Sequence, residues 1–224
     1  LDFSSAAKSS SSVKVTGFTV SHADAVLAGF KISKTSQNSL ALSLTAGTVS
    51  NCWFTACNPR STSLRTVFSA SGGLLTDCRV SGNTGGIRNG GFGICEASGN
   101  AVIRNTVFYN NTGAANSTTY TDGGSGALAA MPAAGSTVTI ENCTFANNSG
   151  HLAGGLAIAK AAANPTTAVG GNVIVRNCVF ANNRSMHDAL TASNGKGSDD
   201  IYVVATAGHV TFTGCHVKSM PTGL

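Results

Sequence analysis

One short phrase returns along this chain at intervals of a few dozen residues. It reads Val49-Ser-Asn51-Cys52-Trp-Phe54, Leu75-Thr-Asp77-Cys78-Arg-Val80, Ile103-Arg-Asn105-Thr106-Val-Phe108, Ile140-Glu-Asn142-Cys143-Thr-Phe145, Val175-Arg-Asn177-Cys178-Val-Phe180 and Phe212-Thr-Gly214-Cys215-His-Val217, with Val15-Thr-Gly17-Phe18-Thr-Val20 as the first copy. In several copies an Asn stands three residues after the aromatic. A unit of this length cannot bury its own apolar face, so neighbouring copies must stack on one another and share a continuous core.

The copy around Asn142 shows how the stack is built. Val138 and Ile140 alternate as a half-buried strand should, and Cys143 and Phe145 alternate with each other, but the two pairs are out of phase. A bend therefore falls at Glu141-Asn142. Asn tolerates the left-handed backbone such a corner needs, and its amide can bond the Asn of the next unit. A third apolar segment precedes each following phrase: Leu40 to Leu44, Thr66 to Ser69, Phe92 to Cys95, Ala127 to Ala130, Gly155 to Ala159 and Ile201 to Val204. The position of Cys143 recurs at 18, 52, 78, 106, 143, 178 and 215, and the variation lies in segments such as 109 to 124, 161 to 171 and 181 to 199. The expected fold is all-β: a single-stranded right-handed parallel β-helix with three strands per coil and about seven coils, stacking to roughly 30 Å. Residues 1 to 224 read as one domain of this kind.

Composition agrees and excludes other classes. Only 10% of the residues are charged, against 27 Gly and 42% apolar residues, which suits short strands and tight turns better than amphipathic helices. The net charge of +5 comes from 14 scattered Lys and Arg, so no basic cluster suggests nucleic acid. No apolar run is long enough to span a bilayer. Of the seven Cys, five (Cys52, Cys78, Cys143, Cys178, Cys215) occupy one position of the phrase and read as a column of buried thiols. A disulfide of Cys57 with Cys52, or within a stacked pair, is the alternative, although parallel neighbours rarely offer the geometry.

The Asn corner resembles that of the pectate-lyase-like β-helix. The pairing of Phe108-Tyr-Asn-Asn111, Phe145-Ala-Asn-Asn148 and Phe180-Ala-Asn-Asn183 with Gly154-Gly-Leu-Ala-Ile158 resembles the repeats of polymorphic outer-membrane proteins. That resemblance implies a bacterial or otherwise secreted surface passenger engaged in adhesion or display, on the bacterial outer surface or elsewhere outside the cell. It carries no catalytic residue across.

Chemistry is sparse. Polysaccharide cleavage on this fold needs paired acids or a metal with a base beside it. The chain has nine carboxylates, and Asp77 sits at the corner while Glu141 joins Arg104 and Arg176 in an outer column. The outward positions of the third strands read as Ala41, Ser43, Ser69, Gly93, Cys95, Ala129, Ala157, Tyr202 and Val204, with Glu96 at the margin. The one alternative site is formed by loop residues Asp122, His187, Asp188, Asp199 and Asp200, acting as acid and base or, at Asp199 and Asp200, as ligands of Ca²⁺. The competing account treats them as solvated turn residues among Gly, Ser and Asn. The five His share no zinc-ligand spacing. Sequons begin at Asn110, Asn116, Asn142, Asn147 and Asn183, of which only Asn116 reads as a loop tip.

The expected role is structural or adhesive, without catalysis or a cofactor, with a glycan or a host or surface protein as partner. Neither terminus resembles a cap, so the chain is expected to be a segment of a longer solenoid or to stack end to end on copies of itself.

Overall fold

The computed structural model describes residues 17–33, 40–57, 67–85, 93–113, 124–160, 167–186, 199–218 and 220. Every strand pairing among them is parallel, and strands pair with the equivalent strand of the next coil rather than with a neighbour in sequence. Sheet A stacks Phe18–Val20, Leu42–Leu44, Phe68–Ala70, Gly93–Ala97, Ser125–Ala130, Leu156–Ile158 and Ile201–Val203; sheet B stacks Val26–Ala28, Thr48–Ser50, Leu74–Thr76, Val102–Arg104, Thr137–Glu141, Asn172–Arg176 and Val210–Thr213. Sheet C stacks Lys31–Ser33, Trp53–Thr55, Arg79–Ser81, Val107–Tyr109, Thr144–Ala146 and Val179–Ala181, and a bridge from Val179 to His216 extends it. Three strands per coil over seven coils make the right-handed parallel β-helix expected.

The bend falls at the anticipated corner. Asn51, Asp77, Asn105, Asn142 and Asn177 all adopt φ between 49° and 53°. The first copy of the phrase requires correction, because Phe18–Val20 pairs with Leu42–Leu44 and so belongs to sheet A. The equivalent of Val49 is Leu27 and that of Phe54 is Ile32, so the first copy is Leu27-Ala-Gly29-Phe30-Lys-Ile32, with Gly29 at φ 78° as its corner. Both segments follow Gly-Phe-x-β-branched, and only pairing distinguishes them.

A second correction concerns sheet A. Its middle register column, Thr19, Ser43, Ser69, Glu96, Ala129, Ala157 and Tyr202, faces outward. Cys95 pairs with Phe68 and Leu128 and lies in the core, as does Ala41, while Glu96 takes the outward place. Pairing with Phe68 is the cause, since Cys95, Glu96 and Ala97 follow Phe68, Ser69 and Ala70 in unbroken register and so inherit their phase. The one irregularity lies in the next strand, where Ser125 to Leu128 spans three positions against the two from Gly93 to Cys95.

The core is filled by columns. Leu27, Val49, Leu75, Ile103, Ile140, Val175 and Phe212 line the inside of sheet B. Opposite them, inside sheet C, Phe108, Phe145 and Phe180 stack with centroids 4.8 and 4.7 Å apart and planes within 3°. Each such ring stabilises by roughly 1.5–3 kcal/mol through burial and about 0.5–1.5 kcal/mol more through stacking.

The Asn three residues after the aromatic turns inward. Asn83, Asn111, Asn148 and Asn183 are buried, and the residue before each (Gly82, Asn110, Asn147, Asn182) has φ between 54° and 64°. Each inward amide donates to a carbonyl of the preceding coil and to Oδ1 of the next Asn: Asn111 to Val80 O and Asn148 Oδ1, both at 2.9 Å, and Asn148 to Phe108 O and Asn183 Oδ1, both at 3.0 Å. Its own Oδ1 receives the backbone N–H and side-chain amide of the Asn before it. Cys57 holds this position one coil earlier, its N–H donating to Asn83 Oδ1, which places it in a different column from Cys52.

Candidate functional site

The outer faces and the two described candidate acids are where any chemistry must lie. Asp200 is buried at 2% exposure; its Oδ1 accepts from Asn183 Nδ2 at 2.9 Å and its Oδ2 from Lys218 N at 3.3 Å. Counting three residues on from Val217 places Met220 where the seventh coil would continue the inner Asn column. A thioether cannot take up that amide hydrogen bond, and Asp200 enters from the start of a sheet A strand to accept it. Asp199 is exposed, and its Oδ1 caps Ser185 N at 2.9 Å. Asp122, His187 and Asp188 lie outside the described residues. Among the described residues no three His, Cys, Asp or Glu side chains converge as a metal-holding group.

Sheet A's outer face divides in two. Its N-terminal part presents Thr19, Ser43, Ser69 and the half-exposed Glu96. Further along, Leu152 and Ala153 fold over the face and, with Met131 and Ala168, close on Ala129, Ala157 and Tyr202. This segment is held by Leu152 N to Gly124 O at 3.1 Å and Gly154 N to Asp199 O at 2.8 Å. Gly154 admits no side chain, since a Cβ there would collide with Asn148 O and Arg184 N.

The outer face of sheet C is different. One register column runs Lys31, Trp53, Arg79, Val107, Thr144, Val179 and His216, and the other runs Ser33, Thr55, Ser81, Tyr109, Ala146 and Ala181. Val107, Tyr109 and Val179 are exposed at 40%, 40% and 41%, an unusual concentration of apolar surface on one face. Lys31 Nζ lies 4.3 Å from the Trp53 ring centroid and Arg79 Cζ 5.1 Å, one from the coil before and one from the coil after. Trp53 Nε1 and Arg79 Nε both donate to Ser81 Oγ, at 2.8 and 3.1 Å, so the cations and the indole form a fixed stack.

Six of the seven thiols belong to the core and Cys215 packs against it, and the Cys52 thiol is lowered to about 7 chiefly by its hydrogen bond with Cys78. None of the seven Cys is in a disulfide, and six are buried. Stacked thiols donate to carbonyls, as Cys78 does to Thr76 O at 3.1 Å and Cys143 to Glu141 O at 3.3 Å. Burial pushes the Cys95 thiol well above the usual range, and contact with Cys178 followed by burial does the same to Cys143. Neither supplies a thiolate at neutral pH. On sheet B, Arg176 and Glu141 pair at 3.1 and 3.2 Å as the sequence suggested.

A family model described as "Right handed beta helix region" matches residues 7–224. The chain belongs to this right-handed β-helix family. No curated protein and no solved structure shows a significant match to it. Family membership accounts for the coil. What sequence reasoning missed was the inner column: the second Asn of each Asn-Asn pair is its signal, read there only as a turn.

Proposed function

We propose that this β-helix is a secreted or cell-surface structural and adhesive module that binds a glycan or a surface protein without transforming it. The observation that carries this reading is the employment of the described candidate acids. Asp200 spends its carboxylate on Asn183 and Lys218, and Asp199 holds Ser185. A general acid and base need carboxylates free to exchange protons with substrate. The strip of sheet A presents Glu96 beside hydroxyls of Ser and Thr, then closes over. No helix among the described residues is long and apolar enough to cross a membrane.

The test is an assay of reducing-end release from acidic and neutral polysaccharides by the intact protein, with Asp199→Asn and Asp200→Asn beside it. The expected result is no release by any of the three, with pull-down of glycan or surface extract unchanged by Asp199→Asn. Turnover by the wild type that Asp199→Asn abolishes would overturn the reading in favour of a carbohydrate-active enzyme.

A further inference from the structure

We propose that the outer face of sheet C is the docking strip for a linear acidic glycan lying along the helix axis, an inference that rests on the adhesive reading above. The floor of the strip at coils four to six is Val107, Tyr109, Thr144, Ala146, Val179 and Ala181. Two rows of exposed carboxamides border that floor. Asn105, Asn142 and Asn177 stand on the corner where the chain enters sheet C, and Asn110, Asn147 and Asn182 on the corner where it leaves. Members of each row repeat at the inter-strand spacing of about 4.8 Å.

This arrangement matches the two-sided chemistry of a pyranose. The ring faces carry C–H groups that pack on an apolar floor, and the hydroxyls project from the ring edges toward donors and acceptors. A carboxamide offers both, and a left-handed corner holds its Cα in a fixed place. One sugar unit of an extended chain advances by a distance comparable to one coil, so successive rings meet successive rungs. A folded protein partner would gain little from two periodic amide rows.

Charge selects among glycans. The register columns of this face contain no carboxylate. Lys31 and Arg79 hold positive charge at one end, and Lys218 and Arg184 are exposed toward the other. Stacking on Trp53 fixes the first two without neutralising them. With both ring faces occupied, Trp53 organises cations and does not stack a sugar. Asp77 on the entry corner is engaged by Thr76 Oγ1 at 2.8 Å and Asn105 Nδ2 at 3.2 Å. At the far end Asp200 accepts from Lys218 N and Asp199 from Ser185 N, so the unopposed positive charge of the strip is that of Lys31 and Arg79.

The experiment measures binding of the full chain, made in a host that does not glycosylate the sequons at Asn110 and Asn147, to uronate-bearing and neutral β-1,4-linked oligosaccharides of equal length. Tyr109→Ala tests the floor, Arg79→Ala the charge, and the double variant Asn110→Gly with Asn147→Gly the amide row; glycine keeps the positive φ already carried by Gly82. Each should weaken binding of the uronate chain about tenfold, with thermal unfolding of the glycine double variant and Arg79→Ala near the wild type. Ser43→Asp, on the open strip of sheet A, should leave affinity unchanged. Equal affinity for neutral chains, no binding to either chain, or glycan binding that all three sheet C variants leave intact would overturn the strip. The last result would leave the adhesive reading standing, whereas cleavage of the uronate chain would remove that reading itself.

Discussion

Two columns of amides run the length of this molecule, one inside and one outside, and they differ in everything except residue type and spacing. The outer column hydrogen-bonds toward the N-terminal coils, Asn142 to Asn105 and Asn105 to Asp77, each at 3.2 Å and in contact with solvent. The inner column runs the other way, Asn83 to Asn111 to Asn148 to Asn183 to Asp200, at 2.9–3.0 Å and out of water. Both end on a carboxylate, the acceptor that closes a chain of donors. Chains of aligned bonds strengthen one another where the dielectric is low, so the inner column is where the same chemistry carries most stability.

Removing an inner rung should therefore have the largest effect. Asn111→Ala removes the acceptor of the Asn83 backbone N–H and of one Asn83 amide hydrogen, leaving that amide only Phe54 O, and takes the side-chain donor from Val80 O, so it should cost about 3–5 kcal/mol in denaturant unfolding. A loss under about 1 kcal/mol would show that water enters the column and that the distinction between the ladders is false. Asp200→Ala should cost about 2 kcal/mol, because one buried amide donor of Asn183 and the N–H of Lys218 lose their acceptor. Asp200→Asn should recover most of this by keeping one acceptor oxygen.

The buried thiols should make the interior visible through pH. A folded thiol pKa raised above its unfolded value of about 8.5 means that the unfolded chain releases its proton first. The contribution of a raised thiol such as Cys95 is thus intact below about pH 8.5 and falls above it with a slope of about 1.4 kcal/mol per pH unit. Cys52, lowered to about 7 chiefly by its hydrogen bond with the Cys78 thiol, acts in the opposite sense and adds stability as pH rises from about 7 to 8.5. Cys95→Ala should reduce that slope; an unchanged slope would mean that Cys95 ionises freely. The smallest effect belongs to the outer column. Asn105→Gly, which keeps the left-handed corner, should change stability by no more than about 0.5 kcal/mol.

Much of this was legible in the chain. The apolar alternation on either side of Asn142 located a bend, and the repeat of that bend required stacking, because a strand period of two leaves no other way to bury both Ile140 and Phe145. The first coil was misread because Phe18 and Phe30 each follow a glycine and precede an x-β-branched pair. The inward turn of Cys95 is set by its pairing with Phe68, which no local pattern announces. The docking strip was less legible still: Val107, Tyr109 and Val179 are separated by up to 72 positions and meet only through register.

The amino-acid sequence by itself determined the coil: residue types that accept positive φ, apolar residues two apart and an invariant short corner permit no other compact arrangement. Tertiary structure alone decided which Asn of each pair faces the core and which faces water. Adjacent residues on a left-handed corner are chemically equivalent until the coils on either side supply, or fail to supply, the carbonyl and amide partners. It likewise decided that Asp200, ordinary in sequence, closes the inner column, since only stacking brings it within reach of Asn183.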